Sequence, residues 1–380
     1  MDTVKYKNIM IVFGTRPELI KMAPIIKKLE AYKKSLKTVV VSTGQHLEMI
    51  DKIIQLFKIH IDYDLKIMKP AQTLFDIVSV CIKKFKRLLE TVRPDLVLVQ
   101  GDTTTAFVAA LSAYFYKIPV GHVEAGLRTD NKYSPFPEEI NRKLITGIAD
   151  IHFAPTKTSC RNLVRENVDR ARILVTGNTV IDALLMVREK VRAETNIYKE
   201  FKGIDFEKKI ILVTAHRRES FGKPFENMCA AIAELAERNP EIQFVYPVHL
   251  NPNVQSVVNK RLKNKPNIHL ISPLDYNWFV FLMDMSFIVL TDSGGVQEEA
   301  PSLGKPVLVM RDTTERPECI KAGVAKLVGT DMKTIVKEVQ QLLDHKTAYA
   351  KMSKKSNPYG DGKASDRIAG YLLGVKTKEF

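Results

Sequence analysis

The chain has 380 residues, of which 45% are hydrophobic and 27% charged, and its formal net charge is +15. This length favours two domains over one. No stretch approaches the roughly 18 consecutive apolar residues that a membrane-spanning helix needs, and the apolar run at residues 9–13 is too short for a signal-peptide core. The four cysteines have no CxxC spacing. A zinc site or a disulfide framework is therefore not expected, and a reducing cytoplasm is the expected location.

The positive charge is compatible with nucleic acid, a membrane surface or a small anionic substrate as partner. The lysines occur in pairs, as at residues 27–28, 33–34 and 83–84, and no basic patch is interleaved with aromatic residues. This distribution is typical of a solvated basic surface. We therefore expect an anionic small molecule as partner, and neither nucleic acid nor a membrane.

Short apolar runs alternate with helical patterns along the whole chain. The predicted strands are residues 9–13, 38–42, 96–99, 120–123, 173–176, 210–214, 244–248, 268–271, 287–290 and 307–310. Helical apolar spacing covers residues 18–32, 74–92, 179–192, 225–237 and 364–373. Several strands are continuously apolar, which suits strands buried on both faces of a parallel sheet. The alternation predicts an α/β fold of two doubly wound halves with right-handed crossovers.

The expected domain boundary follows Thr176-Gly177-Asn178. The sequence NPYGDGKAS at residues 357–365 breaks the pattern again, which would let the last helix return to the first domain. We therefore expect one Rossmann-like domain at residues 1–177 plus 361–380, and a second at residues 178–360. Neither half carries G-x-G-x-x-G, so a tightly held NAD is not expected.

The sequence TDSGGVQEEAPSL at residues 291–303 directly follows a predicted strand. It predicts a Ser-Gly-Gly turn and a helix that opens at Val296. Gly294 and Gly295 would let a ligand approach the backbone and would adopt positive φ at little cost. The N–H groups at the start of a helix favour phosphate, and a carboxylate from Glu298 or Glu299 could reach a ribose hydroxyl. The alternative is an ordinary turn capped by Ser293.

Charged side chains also follow the other predicted strands. They are Arg16 and Lys21 after the first strand, Asp102, Glu124 and Glu138 later in the first half, and His216, Arg217 and His249 in the second half. Arg and Lys are suited to phosphate, and clustered carboxylates are typical of general acid–base chemistry. For single residues the simpler alternatives are a helix cap for Asp102 and a structural histidine for His216.

Six motifs together carry a resemblance to a known family. They are GTRPE (14–18), HVEAGLRT (122–129), PFPEE (135–139), AHRRE (215–219), SGGVQEEAPSLGKP (293–306) and TTERPE (313–318). In this order and spacing they resemble the non-hydrolysing UDP-N-acetylglucosamine 2-epimerases, from about residue 9 to residue 365. The resemblance implies a GT-B fold, in which two Rossmann-like domains face each other across a cleft, and a homodimer. It also implies interconversion of UDP-GlcNAc and UDP-ManNAc for bacterial surface polysaccharides, without a cofactor or a metal.

The resemblance assigns roles to individual residues. The catalytic group corresponds to Asp102, Glu124, Glu138 and His216. The UDP contacts correspond to Arg16, Lys21, Phe279, Ser293, Gly294, Gly295, Glu299 and Arg316. Some relatives bind a second UDP-GlcNAc as an activator, and Gln45, Glu138, Arg217 and His249 resemble parts of that site. Glu48 and Ala71 stand where some of those relatives have a Gln and an Arg.

The family mechanism breaks the anomeric C–O bond first, forms 2-acetamidoglucal and adds UDP back. We expect Asp102 and Glu138 to transfer the C2 protons, while Glu124 and His216 support the departing diphosphate. Closure of the domains would keep water from the intermediate. The alternatives are a hydrolysing epimerase, an epimerase of a modified UDP-HexNAc sugar, a glycosyltransferase, and a non-catalytic protein that binds UDP-sugars or nucleic acid.

Overall fold

A computed structural model of the chain describes residues 5–44, 47–69, 71–194, 197–354 and 356–380, without the side chains of residues 47–49 and 218. The chain forms two compact units. The first comprises Met1–Ala183 and Tyr359–Phe380, and the second comprises Leu184–Pro358. Among the described helices, none is both long and apolar enough to cross a membrane.

The first unit is built on a seven-stranded sheet in which all pairs are parallel. Its elements are β1 (Asn8–Phe13), α1 (Arg16–Glu30), β2 (Lys37–Ser42), α2 (Leu47–Phe57), β3 (Tyr63–Asp64), α3 (Leu74–Val92), β4 (Leu96–Gln100), α4 (Thr104–Phe115), β5 (Val120–Val123), α5 (Glu138–Ile148), β6 (Ile151–Ala154), α6 (Lys157–Arg165), β7 (Ile173–Val175) and the first part of α7 (Thr179–Ala193). The strand order is β3-β2-β1-β4-β5-β6-β7.

The second unit contains a six-stranded parallel sheet in the order β10-β9-β8-β11-β12-β13. Its elements are β8 (Ile210–Thr214), α8 (Lys223–Arg238), β9 (Gln243–Pro247), α9 (Pro252–Leu262), β10 (Ile268–Ile271), α10 (Tyr276–Met285), β11 (Ile288–Thr291), α11 (Gly294–Glu299), β12 (Val307–Val309), α12 (Pro317–Ala322), β13 (Ala325–Leu327), α13 (Met332–Asp344) and α14 (Lys346–Ser353). The last helix, α15 (Ala364–Leu372), belongs to the first unit and packs against α1, where Lys28 Nζ lies 2.6 Å from Asp366 Oδ1.

The predicted α/β fold of two Rossmann-like domains is confirmed. The central strands are buried on both faces, as their continuous apolar sequences predict: Ile9 to Phe13 are at most 1% exposed. In the first unit, Met10 and Val12 join a core with Phe85 of α3 and Ala109 of α4. In the second unit, a corresponding core joins the strands to helices α8 and α13.

In each unit the strand order reverses once beside the first strand. The chain moves outward from β1 to β3 and returns to β4, and it moves outward from β8 to β10 and returns to β11. Because ligands of doubly wound folds bind at such switch points, beyond the carboxyl ends of the strands, the turns after β1, β4, β8 and β11 are the candidate positions. Arg16, Asp102 and His216 lie in or next to these turns, whereas Glu124 follows β5 and Glu138 begins α5.

Several predicted elements differ from the structure. The predictions missed β3, β6 and β13. β3 has two residues and β13 has a lysine between its two apolar residues, so neither is a continuous apolar run, whereas the four-residue β6 is as apolar as the predicted β10. The strand predicted at residues 244–248 is Gln243–Pro247, and the one predicted at 287–290 is Ile288–Thr291. The helix predicted to open at Val296 begins at Gly294.

A buried histidine in β5 makes stability depend on pH. His122 is fully buried, and its Nε2 donates to the Gly101 carbonyl at 2.7 Å. Burial lowers the pKa of His122 from its usual 6.5 to about 3. Between pH 6.5 and pH 3 the unfolded chain binds a proton at His122 that the folded chain does not bind. The contribution of His122 to the free energy of unfolding is therefore complete above pH 6.5 and is lost progressively as the pH falls toward 3.

We expect the thermal midpoint of the protein to fall between pH 7.5 and pH 4.5, with up to about 1.4 kcal/mol lost per pH unit through this residue. His122→Gln keeps an amide donor but cannot titrate, so its midpoint should fall less steeply. The exposed His60 offers the matched control, His60→Gln, which should keep the wild-type slope. Equal slopes for His122→Gln and wild type would contradict this account.

Candidate functional site

In the first unit, a buried glutamate joins the turns after β1 and β4. Thr15 caps α1, and Glu18 completes the capping box, with its Oε2 accepting from the backbone N–H groups of Gly14 at 3.0 Å and Thr15 at 2.7 Å. Its other oxygen accepts from Thr103 Oγ1 at 2.7 Å. Burial raises the pKa of Glu18, and these hydrogen bonds oppose the rise. The spacing Thr-x-x-Glu is the sequence signal of this capping box.

Asp102 directly follows this junction at the end of β4. Its Oδ2 accepts from Arg142 Nε at 2.8 Å and Nη2 at 2.7 Å, while Arg142 Nη1 lies 2.7 Å from Glu139. Asn141 Nδ2 donates to the Asp102 carbonyl at 2.9 Å. The alternative that Asp102 caps the next helix is wrong, because Thr103 accepts from the Ala106 N–H and is the N-cap of α4. The Asp102 carboxylate is held in an ion pair with α5 instead.

Glu124, at the end of β5, has an unusual backbone conformation. Its φ is +66°, in the left-handed region that few residues other than glycine adopt, and such positions are concentrated at functional sites. Its Oε2 lies 2.5 Å from Lys21 Nζ and accepts from Asn178 Nδ2 at 2.9 Å. Lys21 therefore pairs with a carboxylate of the predicted catalytic group. Arg16 opens α1 and is half-buried.

Glu138 is the first residue of α5 and differs from the other two carboxylates. Its Oε2 is buried and has no hydrogen-bond partner among the residues that the structure describes. A buried carboxylate oxygen without a partner is costly, and in native proteins it calls for an explanation. A ligand group at this position would remove that cost.

In the second unit, a buried aspartate joins the turns after β8 and β11. Asp292 is fully buried, and its Oδ2 accepts from the backbone N–H groups of His216 at 2.7 Å and Arg217 at 2.8 Å. The sequence analysis did not assign Asp292 a role. An acidic residue directly before a Ser-Gly-Gly turn was the available signal.

The imidazole of His216 stacks on that of His249, with ring centroids 5.0 Å apart and planes at 10°. His216 keeps an exposed surface, yet desolvation by the surrounding protein lowers its pKa. The Asp292 carboxylate opposes this shift, and His249 and Arg217 add to it. His249 Nδ1 accepts from the Asn251 N–H at 3.1 Å, which fixes it as an acceptor.

The Ser-Gly-Gly turn lies beneath two guanidinium groups. A Cβ added to Gly294 would lie 3.5 Å from Arg217 Nη2 and 4.0 Å from Arg316 Cζ. Gly294 and Gly295 are the first residues of α11 and lie outside the left-handed region, so the expected use of positive φ is wrong. The absent Cβ instead leaves room between the turn and the arginines, a position that suits a doubly charged phosphate group.

A network of carboxylates orients the two arginines. Arg316 Nε pairs with Glu298, which is 1% exposed, and its Nη1 donates to the Glu315 carbonyl at 3.3 Å. Glu298 is therefore a buried partner and not a helix-surface residue. Arg217 lies 3.8 Å from Glu315, whose carboxylate also accepts two hydrogen bonds from Arg311 at 2.8 and 3.0 Å. These bonds from Arg311 lower the pKa of Glu315 to about 2.

Glu299, at the end of α11, contacts a tyrosine of α10. Tyr276 donates its O–H to Glu299 Oε1 at 2.6 Å, and Glu299 is only 6% exposed. Phe279 follows one turn after Tyr276 and is half-buried. Gln45, expected at a second UDP-GlcNAc, lies outside the described residues, as does the side chain of Glu48.

Ser293 separates two explanations of the turn. It occupies the N-cap position of α11, but its side chain makes no capping hydrogen bond, whereas Asp331 caps α13 by accepting from the Thr334 N–H at 2.9 Å. If Ser293 contacts UDP, as the resemblance implies, Ser293→Ala should leave the thermal midpoint nearly unchanged and weaken binding of UDP. Asp331→Ala should lose about 1 kcal/mol, or roughly 2–4 °C, and keep UDP affinity. A Ser293→Ala midpoint as low as that of Asp331→Ala would show that Ser293 is a structural cap.

The fold and these contacts define a class of protein. In the first unit Asp102 lies at the switch point and Glu124 and Glu138 follow the neighbouring strand, while the switch point of the second unit carries a glycine turn with nearby arginines. This arrangement is typical of α/β proteins that bind an anionic ligand at the switch points of their sheets.

Comparison with known proteins identifies the family. The model of the family described as UDP-N-acetylglucosamine 2-epimerase matches residues 27–373. The UDP-N-acetylglucosamine 2-epimerase of Escherichia coli K12 is 54% identical over 365 residues, covering 95% of this chain and 97% of the relative. That of Campylobacter jejuni is 51% identical over 381 residues, covering 98% and 99%. The chain belongs to the UDP-N-acetylglucosamine 2-epimerase family.

Solved structures give the same result. The UDP-GlcNAc 2-epimerase of Neisseria meningitidis bound to UDP-GlcNAc is 50% identical, with a TM-score of 0.89 and coverage of 97% of this chain and 100% of the other. The Methanocaldococcus jannaschii enzyme in complex with UDP-GlcNAc and UDP is 33% identical, with a TM-score of 0.80 and coverage of 96% and 99%. The predicted resemblance is thereby confirmed at the level of the family.

Proposed function

We propose that this protein interconverts UDP-GlcNAc and UDP-ManNAc by inverting C2, without hydrolysing the sugar nucleotide. The observation that carries the proposal is the difference among the carboxylates of the first unit. Asp102 and Glu124 are paired with Arg142 and Lys21, whereas Glu138 Oε2 is buried and lacks a hydrogen-bond partner in the described part of the chain. The motifs shared with the non-hydrolysing enzymes support the same reaction.

The chemistry explains why carboxylates are needed. The C2 proton of the sugar is not next to a ketone, so it is lost together with the anomeric leaving group. A carboxylate takes this proton, the C1–O bond breaks with its electrons on UDP, and a C1–C2 double bond forms to give 2-acetamidoglucal. In the return step a carboxylic acid protonates C2 on the opposite face, and a UDP oxygen forms the new bond to C1. No net oxidation or hydrolysis occurs.

We assign the proton transfers to Asp102 and Glu138, and we leave their faces of C2 unassigned. General acid–base groups of this kind contribute about 10²–10⁴-fold to a rate. The Glu138 oxygen would gain a partner when substrate binds, and the Arg142 pair keeps Asp102 in a fixed orientation.

UDP must stay bound while its sugar is an intermediate. We assign its retention to Ser293, Gly294, Gly295 and Arg316 of the second unit, with Glu299 at the ribose and Phe279 at the uracil. Arg16 and Lys21 of the first unit are assigned to the phosphates. Support comes from the Arg316 guanidinium, whose Cζ would lie 4.0 Å from a Cβ added to Gly294, because positive charge stabilises the departing diphosphate. Glu124 and His216 support the leaving group in the same proposal.

The homodimer, the cytoplasmic location and the role in surface polysaccharide synthesis belong to this proposal too. Exposed apolar side chains support the homodimer, since Tyr114 and Phe115 of α4 are 61% and 62% exposed and Leu144 of α5 is 45% exposed. Helices α4 and α5 pack against each other, so these residues lie on neighbouring elements. Activation by a second UDP-GlcNAc stays a prediction for Arg217 and His249.

The test is to incubate the protein with UDP-GlcNAc and, separately, with UDP-ManNAc and to identify the products by NMR. The proposal predicts the other UDP-sugar from each substrate and no free sugar. Free N-acetylmannosamine with equimolar UDP would identify a hydrolysing epimerase. Binding without turnover on either substrate, followed by turnover of a C3- or C6-modified UDP-HexNAc, would identify an epimerase of that sugar instead.

A further inference from the structure

The start of α10 places two aromatic residues one turn apart. Tyr276 is its first residue and Phe279 follows at the spacing that puts both on one face of the helix. The Phe279 N–H donates to the Asp275 carbonyl at 2.9 Å, so this first turn is regularly formed. Helix α10 also packs against the 3-10 turn Ala300–Leu303, which directly follows α11. The first turn of α10 therefore lies beside Glu299.

The hydrogen bond between Tyr276 and Glu299 is of the strong kind. The O–H···O distance of 2.6 Å is short, and the acceptor is a carboxylate. Burial and the charge of Glu299 raise the pKa of Tyr276 well above its usual value, so the phenol remains a donor at physiological pH. A glutamate has three side-chain torsions, and this contact restricts them through Oε1.

We propose that Tyr276 is a positioning residue for nucleoside recognition: it holds the Glu299 carboxylate in the orientation that binds the ribose hydroxyls. The inference rests on the proposed role of Glu299 at the ribose. Tyr276 acts through Glu299 and forms no bond to the nucleotide itself. With Phe279 on the same helical turn, the start of α10 then determines selectivity for a ribonucleoside.

Discrimination between UDP and its deoxy analogues is the property that tests this role. A loss of general stability would weaken every ligand alike, whereas a misplaced Glu299 weakens UDP, which carries both hydroxyls, more than the analogues that lack one of them. Tyr276→Phe keeps the ring and removes only the phenolic oxygen. We expect its Kd for UDP to rise by up to about tenfold, because a Glu299 carboxylate that is no longer held by Tyr276 would bond less well to the ribose hydroxyls. The Kd values for 2′-deoxy-UDP and 3′-deoxy-UDP should change much less.

Isothermal titration calorimetry with UDP and both analogues measures these ratios on the whole chain. Tyr198→Phe is the matched control, because Tyr198 is 51% exposed and belongs to the second unit; it should keep the wild-type ratios. Glu299→Gln is a second variant that alters the other side of the contact, and it should also lose selectivity.

Each of the following outcomes either supports or overturns the proposal. Selective loss of UDP affinity in Tyr276→Phe supports the proposal. Unchanged ratios, or equal weakening of all three ligands, overturn it. If wild-type protein binds UDP but does not discriminate against either analogue, the ribose role of Glu299 is wrong and the proposal fails with it. If wild type does not bind UDP at all, the proposed function itself fails.

Discussion

Replacing Glu138 with glutamine should lower the rate of C2 epimerisation by about 10²–10⁴-fold, the range that one general acid–base group contributes. Glutamine has nearly the same shape, but it cannot accept or deliver the C2 proton. The buried Oε2 of Glu138 lacks a hydrogen-bond partner among the described residues, so the substitution breaks no contact of that atom. The thermal midpoint should therefore change little or rise.

Steady-state kinetics with UDP-ManNAc measures the loss, and calorimetry with UDP shows whether nucleotide binding persists. We expect UDP affinity within a few-fold of wild type, because Glu138 is not among the residues assigned to UDP. Glu90→Gln, at an exposed position of α3, is the matched control and should retain full turnover. Turnover of Glu138→Gln within tenfold of the wild-type rate would show that Glu138 transfers no proton.

Arg316→Ala should reduce kcat by about 10²–10³-fold, the effect of removing one group that stabilises developing charge. Arg316→Lys should recover only part of this rate. A lysine carries the same charge. It lacks the planar guanidinium, which donates to Glu298 and to the Glu315 carbonyl simultaneously.

Arg316→Ala should also lower the stability of the protein, because Arg316 is the partner of a buried carboxylate. Glu298 is nearly fully buried, and removing one partner of a buried ion pair typically costs about 3–5 kcal/mol. The double variant Arg316→Ala/Glu298→Gln removes both charges, so it should recover much of the thermal midpoint but not kcat. Recovery of kcat together with stability would show that Arg316 serves only the structure and does not stabilise the leaving group.

Much of the fold follows directly from the sequence. The predicted strands at residues 120–123, 210–214 and 268–271 and the predicted helix at 74–92 coincide with β5, β8, β10 and α3. Continuous apolar runs, as in β1 and β8, identify strands that are buried on both faces of a parallel sheet. The short strands β3 and β13 lie at sheet edges and carry too few apolar residues for the same argument.

The candidate site was harder to predict, because its contacts join residues that are far apart in sequence. Its position after a predicted strand singled out Asp102, but its partner Arg142 comes from a helix that follows the next strand. Similarly, Asp292 binds the turn after β8, and Tyr276 reaches Glu299 from a different helix. Which of these side chains meet is decided by the strand order and by packing. Neither the strand order nor the packing can be deduced from the spacing of residues along the chain.

The glycine turn at residues 293–295 shows how the structure changes an interpretation. Its sequence was compatible with a capped strand-to-helix turn or with a phosphate site. The structure has no capping bond from Ser293 and has two guanidinium groups near Gly294. These observations favour a site for an anionic ligand, through the space that a glycine leaves and not through a left-handed conformation.

The central claim is that C2 loses its proton while UDP departs and gains a proton from a different group afterwards. Running the reaction in D2O and following the sugar H1 and H2 signals by NMR tests it most directly. The account predicts that both UDP-GlcNAc and UDP-ManNAc acquire deuterium at C2 as equilibrium is approached, with the H1 splitting by H2 lost. Epimer that forms with its original proton still at C2 would contradict the elimination and re-addition of UDP.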